Sequence, residues 1–423
     1  MEKAAILLMV LFTFCGKFSE FFDLWTTTVL HEKDVTSSED LPDFVSENSR
    51  SSLKEISLVS RHGYPAEDHQ ITTEDGYVLH VHRIPGSPKS PPAPGKPVVY
   101  IQHGILGASV LFVLGGPDKD LAYILADAGY DVWLGNARGN TYSRSHKTLS
   151  PDTDRRFWKF SYHEIAIYDV SAAIDYALYK TGRKSLVYIG HSMGSTMSFV
   201  LLSTKPEYND KVHLVINLAT VCNRRQSNYF VNFFKDNGWL LKSLMTAGLM
   251  TEIMPRSARY SRLFQNMCSD GSALQEFCVS ALRNTTGFDP DVLDFKLFVE
   301  AFTHNPAGAS AQTFVHFYQN MIAGRLRMYD HGVMGNLARY RQITPPAYNL
   351  ENVVTPVVMI YGKGDPIAPP EESLDLLDIL KNARAESVPH DNFGHMDFLW
   401  AKNIKRLLQD RILEIISEFS ERR

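Results

Sequence analysis

The 423-residue sequence lacks a strong excess of either charge, a metal-ligand pattern and an internal repeat. Its 43 lysines and arginines stand against 47 aspartates and glutamates, with both signs mixed along the chain. Because no basic stripe stands out, we expect no nucleic-acid partner. The 15 histidines are scattered without the spacing of metal ligands, so we expect no metal site. Hydrophobic residues make up 44% of the chain, enough for a large buried core.

Long apolar runs are also scarce. The run from Ala4 to Cys15, which follows Glu2 and Lys3, is too short to span a bilayer and is typical of a signal-peptide core. We assign residues 1–19 to a signal peptide, although no clean cleavage motif follows; a buried N-terminal strand or helix is the alternative. No later run is long enough to span a membrane. The sequence therefore predicts a secreted protein without a transmembrane segment, with the lysosomal lumen as the alternative destination.

Cysteine is rare, and loss of the leader leaves Cys222, Cys268 and Cys278. An odd count in a secreted chain implies at most one internal bridge and one free thiol. Cys268 and Cys278 are candidates for that bridge. A single Asn-Thr-Thr sequon predicts glycosylation at Asn284, which also suits a secretory route.

Beyond the leader, residues 20–55 are polar and predict a flexible lead-in or pro-segment. An Asp75-Gly76 step between two strand-like runs then indicates a β-hairpin. Short apolar runs alternate with helical stretches along the rest of the first half and return after residue 340. The runs predicted to be strands are 98–101, 130–134, 186–189, 212–218 and 357–361. This alternation predicts an α/β fold with a mostly parallel central sheet and helices on both faces.

Residues 222–340 interrupt this alternation, because they lack clear strands and are rich in aromatic residues and methionine. We predict a helical cap inserted between two parts of one sheet domain, residues 56–221 and 341–423. The second part should contain a helix near 371–382, a strand near 385–388 and a final amphipathic helix. The cap residues proposed to contact substrate are Phe230, Phe233, Trp239, Leu244 and Met245. The alternative is that these side chains form the core of the cap itself.

The string Gly190-His191-Ser192-Met193-Gly194 fits the G-x-S-x-G pattern. It follows an apolar strand and precedes a helical stretch, the context of a nucleophile elbow. Ser192 is therefore our candidate nucleophile; the alternative is a glycine-rich turn without catalysis.

A serine hydroxyl needs a general base. In folds with a nucleophile elbow of this type, the acid and then the histidine follow the serine along the chain. Asp365 follows a predicted strand, and His395 precedes the final helices, so we assign them as the orienting carboxylate and the general base. His390 is the alternative base. Asp375 and Asp378 fall within a predicted helix and are interpreted as solvated.

An oxyanion hole needs two backbone N–H donors. One should belong to Met193, directly after the nucleophile. We place the other at Ile105, in the loop that begins Gln102-His103-Gly104 and matches the lipase and esterase type. For His103 itself, a packed core histidine is an equally good interpretation.

Taken together, the residues resemble the acid lipase family, which includes gastric lipase and lysosomal acid lipase. The resemblance covers nearly all of residues 56–420. The shared motifs are Gly63-Tyr64-Pro65, Thr73-Glu74-Asp75-Gly76-Tyr77, Gln102-His103-Gly104, ADAGYDVWLGNARGNTYSR within 121–144, Phe157-Trp158 with FSYHEIAIYD, GHSMG, TPPAYNL at 344–350 and FGHMDFLW at 393–400.

The resemblance implies an α/β-hydrolase core with a helical cap, and hydrolysis of lipid esters without a cofactor. It carries the triad to Ser192, Asp365 and His395, and the oxyanion donors to Ile105 and Met193. Some members have glutamine at the position of Met193, but the backbone N–H is kept. The usual cap cysteine pattern is not kept, because Thr286 replaces the partner of Cys278, which leaves Cys268 as the remaining candidate.

Three functions follow as hypotheses. The first is a lipase acting on lipid esters at a lipid–water interface, the second a carboxylesterase for small soluble esters, and the third a non-catalytic lipid carrier. A complete triad disfavours the third, and a large apolar cap favours the first. The sequence carries no pattern that fixes an oligomeric state.

Overall fold

The structure, a computed structural model, describes residues 47–222 and 229–420. Its eleven strands within these ranges are β1 Glu67–Thr72, β2 Tyr77–Ile84, β3 Val98–Gln102, β4 Asp131–Leu134, β5 Ser145–His146, β6 Leu186–His191, β7 Val212–Leu218, β8 Glu252–Ile253, β9 Ala309–Ser310, β10 Val357–Tyr361 and β11 Ala383–Ser387. The predicted signal peptide, residues 1–19, lies outside the described residues.

The main sheet has the order β1-β2-β4-β3-β6-β7-β10-β11, with β5 paired to β2 at one end. From β4 to β11 every pair is parallel, whereas β1, β2 and β5 pair antiparallel. The predicted parallel sheet is therefore confirmed. The hairpin predicted at Asp75-Gly76 joins β1 to β2.

Helices cover both faces of this sheet. The α-helices of the described ranges are α1 Glu47–Ser60, α2 Leu121–Asp127, α3 Tyr162–Glu164, α4 Ser171–Thr181, α5 Met193–Thr204, α6 Tyr208–Lys211, α7 Tyr229–Thr246, α8 Ala258–Cys268, α9 Gln275–Thr286, α10 Phe295–Ala301, α11 Ala311–Ala323, α12 Gly332–Tyr340, α13 Pro370–Leu374, α14 Asp397–Trp400 and α15 Asp410–Ser420. Short 3₁₀ and π segments extend several of them, including Ile165–Val170, Asp375–Asp378 and Lys405–Gln409, and a separate 3₁₀ turn spans Ser109–Phe112.

The core consists of two apolar layers, one on each side of the sheet. Successive strand residues point to opposite faces, so Val99 and Ile101 pack into one layer while Val98 and Tyr100 pack into the other. Both layers are buried, which explains why the central strands read as continuous apolar runs.

The chain leaves the sheet after β7 and returns at β10. Between them the described residues form helices α7 to α12 and a small separate sheet of β8 and β9. This stretch contains the segment 222–340, for which we predict a cap between core parts 56–221 and 341–423.

Two boundary predictions need correction. The lead-in 20–55 was expected to be flexible, yet residues 47–55 belong to α1, and Glu55 is buried because the helix packs on the core. The helix expected at 371–382 is shorter, since α13 ends at Leu374 and continues only as the 3₁₀ turn Asp375–Asp378 before the chain enters β11. The rest of the lead-in, residues 20–46, lies outside the described residues.

Candidate active site

Ser192 lies at the sharp turn between β6 and α5. Its φ of 55° is in the left-handed region, which a serine adopts only where the surrounding structure imposes it. The flanking glycines allow this turn to pack closely: a Cβ on Gly194 would lie 2.3 Å from the carbonyl oxygen of Gln102, and one on Gly190 2.6 Å from the carbonyl carbon of Gly194. The serine is thus held at the N-terminus of α5, where the helix dipole favours negative charge.

The structure brings Ser192, His395 and Asp365 into one hydrogen-bonded series. The hydroxyl Oγ of Ser192 lies 2.9 Å from Nε2 of His395, and Nδ1 of the same ring donates to Oδ2 of Asp365 over 2.8 Å. The other carboxylate oxygen accepts the N–H groups of Ile367 and Ala368, each at 2.8 Å. Because Asp365 accepts at Nδ1, the neutral ring presents its lone pair at Nε2 to the serine hydroxyl.

The three residues follow β6, β10 and β11, at the carboxyl edge of the parallel sheet where α/β folds bind ligands. His395 is also tied to the inserted segment, since its backbone N–H donates to the carbonyl of Thr286 over 2.9 Å. The ring of His191 lies 5.1 Å from that of His395. Burial lowers the pKa of His191 well below its ordinary value, so it stays neutral and does not repel a protonated His395.

The loop after β3 lies against the nucleophile, because a Cβ on Gly104 would be 2.9 Å from the Cβ of Ser192. The carbonyl of Gly104 accepts Nδ1–H of His103 at 2.7 Å and the N–H of Gly107 at 3.1 Å. In a planar trans peptide unit the C=O and the next N–H point in opposite directions. These two bonds therefore set the direction of the Ile105 N–H.

The N–H groups of Ile105 and Met193 donate to no protein acceptor within residues 47–222 and 229–420. Both donors are therefore unpaired among these residues. His103 holds the peptide that carries the Ile105 N–H: its Nε2 accepts the N–H of Ala137 at 3.1 Å, and burial lowers the pKa of the ring to about 4. A neutral ring keeps its proton on Nδ1, where it holds Gly104.

Sequence similarity to known proteins identifies the family of the chain. Residues 97–402 match the alpha/beta hydrolase fold family, and residues 56–116 match the partial alpha/beta-hydrolase lipase region. Lipase 3 of Drosophila melanogaster is 38% identical over 363 residues, which cover 84% of this chain and 91% of the relative. Gastric triacylglycerol lipase of Bos taurus is 35% identical over 377 residues, covering 88% and 94%. The chain belongs to the α/β-hydrolase lipases.

Solved structures agree on the fold of this family member. The α/β hydrolase GrgF of Penicillium aligns with a TM-score of 0.50 at 14% identity, over 85% of this chain and 98% of that one. At this identity the likeness supports the fold alone.

The competing residues lie elsewhere in this lipase-family chain. His390, the alternative base, pairs through Nε2 with Oδ2 of Asp289 at 2.7 Å instead of contacting the serine. Asp375 and Asp378 lie in a 3₁₀ turn, where Asp378 is exposed and Asp375 half-buried. Of these candidates, the structure therefore brings Ser192, His395 and Asp365 together.

The proposed substrate-contacting residues divide into three groups. The side chains of Phe230 and Phe233 lie outside the described part of the structure. Trp239 is 59% exposed, so its ring faces solvent in this structure. Leu244 and Met245 are half-buried in an apolar cluster that also contains Leu106 of the loop after β3, so they are the members of the set that lie near Ser192.

The cysteines and the sequon lie in the inserted segment. Cys268 and Cys278 form a disulfide between α8 and α9, with Cα atoms 5.4 Å apart, and Cys222 is a buried free thiol. Asn284 is exposed in the last turn of α9, where a glycan can be accommodated. None of the helices in the described ranges combines the length and apolarity needed to cross a membrane.

Motif analysis assigns no role to Asp397, a buried carboxylate two residues after His395. Its Oδ2 accepts the N–H groups of Gly394 at 2.8 Å and Asp289 at 3.0 Å, joining the His395 loop to the inserted segment. Burial raises the pKa of Asp397 to about 6. No sequence signal marks this role, because both partners are backbone groups and one lies 108 residues away.

Proposed function

We propose that this chain cleaves lipid carboxylic esters, triacylglycerols or cholesteryl esters, through an acyl-enzyme on Ser192. Its sequence similarity to named lipases supports the broader assignment as a carboxylic ester hydrolase. The observation that carries the mechanism is the series from Ser192 through His395 to Asp365, with contacts of 2.9 and 2.8 Å.

In this mechanism Ser192 Oγ attacks the ester carbonyl while His395 Nε2 takes its proton. Asp365 stabilises the imidazolium, which then protonates the departing alcohol. The N–H groups of Ile105 and Met193 hold the oxyanion, each worth on the order of 10²–10³ in rate. Water next attacks the acyl-enzyme with His395 as base, releasing the fatty acid and restoring Ser192.

The inserted segment supports a lipid–water interface as the partner. Among its described residues, seven large hydrophobic side chains are exposed: Trp239, Leu240, Leu249, Ile322, Val333, Met334 and Leu337. Three of them lie on the single short helix α12, and clusters of this kind on a soluble surface mark interaction sites.

A secretory destination, extracellular or lysosomal, is part of the proposal. Disulfides persist in oxidising compartments, so the Cys268–Cys278 bridge supports this route. An exposed Asn284 agrees with it. Glycosidase treatment of protein recovered from the medium should lower its apparent mass, and an Asn284→Gln variant should show no such change.

The decisive experiment compares an emulsified long-chain triacylglycerol, a cholesteryl ester and a soluble short-chain ester, at acidic and neutral pH. We expect turnover of the emulsions, abolished in Ser192→Ala and kept in the matched surface variant Ser243→Ala. Turnover retained by Ser192→Ala would contradict the mechanism. Activity on the soluble ester alone would favour the carboxylesterase, and lipid binding without any turnover would favour the lipid carrier.

A further inference from the structure

Helix α1 places a carboxylate inside the core. Glu55 is 1% exposed, and its Oε1 lies 2.9 Å from Nδ1 of His82 on β2. Its Oε2 accepts the hydroxyl of Ser109 over 2.8 Å. The proposed chemistry uses none of these groups, so their burial needs another explanation.

Glu55 and His82 form a buried ion pair. Nε2 of His82 lies 3.7 Å from Oδ1 of Asp68, so the ring stands between two carboxylates. Burial by itself would lower the pKa of His82, but the negative charges of Glu55 and Asp68 raise it above its ordinary value. The negative charge of Glu55 also acts to raise the pKa values of four other groups, His103, Tyr123, Tyr142 and His304. Because desolvation offsets much of the attraction, a buried ion pair is a weak source of stability.

The pair is instead connected to the loop that carries Ile105. Ser109 ends this loop, and its N–H donates to Oδ1 of Asn136 at 3.0 Å, while Nδ2 of Asn136 donates back to the Ser109 hydroxyl at 2.9 Å. Nδ2 of Asn140 donates to the same Asn136 oxygen at 2.9 Å and lies 3.4 Å from Nε2 of His103. One buried network thus anchors both ends of the loop, at His103 and at Ser109.

We propose that Glu55, paired with His82, is a positioning residue for the oxyanion loop, residues 103–109. Through Ser109 it fixes the end of the loop opposite His103, and the two anchors together hold the peptide plane that aims the Ile105 N–H. Helix α1 is then a functional part of the hydrolase. The inference rests on the proposed function, because anchoring affects turnover only if Ile105 receives the oxyanion.

The kinetic test uses Glu55→Ala, Ser109→Ala and the control Glu67→Ala on a soluble short-chain ester. Glu67 is also an ion-paired carboxylate, bonded to Arg83 beside His82, but its pairing leads away from the loop. One oxyanion donor is worth about 10²–10³, so partial displacement should lower kcat about 10-fold in Glu55→Ala, with KM changed less than about twofold. Glu55→Gln, which keeps an acceptor for Ser109, should restore much of the rate.

Hydrogen exchange provides a readout that does not depend on turnover. The N–H groups of Gly107 and Ser109 are bonded in the anchored loop and should exchange faster in Glu55→Ala but not in Glu67→Ala. If Glu55→Ala fails to fold, Ser109→Ala carries both measurements, because it keeps Glu55 and His82 and removes the hydroxyl that bonds to Glu55 and Asn136.

The outcomes separate the two proposals. A wild-type protein inactive on every ester would defeat the proposed function, while hydrogen exchange would still test the anchoring. Unchanged kcat and unchanged exchange in a folded Glu55→Ala protein would overturn the positioning role. An equal loss of kcat in Glu67→Ala would overturn it as well.

Discussion

Asp397 gives a prediction whose sign follows from burial. Its pKa is raised from 3.8 to about 6, so between these values the folded chain binds more protons than the unfolded chain. Stability from this group is therefore fully present below about pH 4 and is lost as the pH rises to about 6. At 1.36 kcal/mol per pKa unit, the loss amounts to about 3 kcal/mol.

Asp397→Asn removes this titration and keeps one oxygen for the N–H groups of Gly394 and Asp289. The new amide NH₂ would replace Oδ1, which has no hydrogen-bond donor among the described residues, and an unmatched buried donor costs about 1–3 kcal/mol at any pH. We therefore expect the variant to be less stable than wild type near pH 4 and comparable or more stable near pH 7.

Urea unfolding of both proteins at about pH 4 and about pH 7 measures the effect. The difference in free energy of unfolding between variant and wild type should move by about 3 kcal/mol in favour of the variant as the pH rises. Asp391→Asn is the matched control, because this exposed carboxylate pairs with Lys363, which lowers its pKa and gives the opposite sign. An equal difference at both pH values would refute the reasoning.

Three further substitutions test the site and its support. Asp365→Asn should lower kcat/KM on a soluble ester by about 10⁴, because an amide in place of the carboxylate favours the wrong tautomer of His395; steady-state kinetics on folded protein checks this. Gly194→Ala should lower both the melting temperature and the activity, since the new Cβ would lie 2.3 Å from the carbonyl oxygen of Gln102; intact stability would show that the turn can relax. Cys278→Ser should cost about 2–3 kcal/mol by opening a short loop, and added reductant should destabilise wild type to the same level without affecting the variant.

The strands of the sheet could be predicted because the signal for each one lies within its own short stretch of sequence. Strands buried on both faces must be apolar along their whole length, so β3, β6, β7 and β10 are visible as uninterrupted runs. Helix α1 gives no such signal, because its residues are mostly polar and its buried members include the charged Glu55. The segment is ordered through tertiary contacts, because Val59 and Leu58 pack against the apolar core and Glu55 meets His82 on another element.

The triad could be predicted for a related reason. A strained serine turn requires small neighbours at fixed positions, and the fold fixes the order of acid and base along the chain. The supporting residues obey no such spacing. Ser109, Asn136 and Asn140 are short polar residues of the kind common in loops, and their network closes only when β2, β3 and β4 are adjacent.

The inserted segment contributes to the same framework at two points. The N–H of Ala307 donates to the carbonyl of Leu106 in the oxyanion loop at 2.8 Å, and the carbonyl of Thr286 accepts the N–H of His395 at 2.9 Å. One bond holds the loop that carries an oxyanion donor, and the other holds the loop that carries the base. Displacing either contact would disturb a group that must stay fixed during the reaction, because misplacement of about 1 Å can cost about 10² in rate. If Ile105 and His395 act as proposed, these two stretches of the insertion are part of the catalytic scaffold rather than a detachable cover.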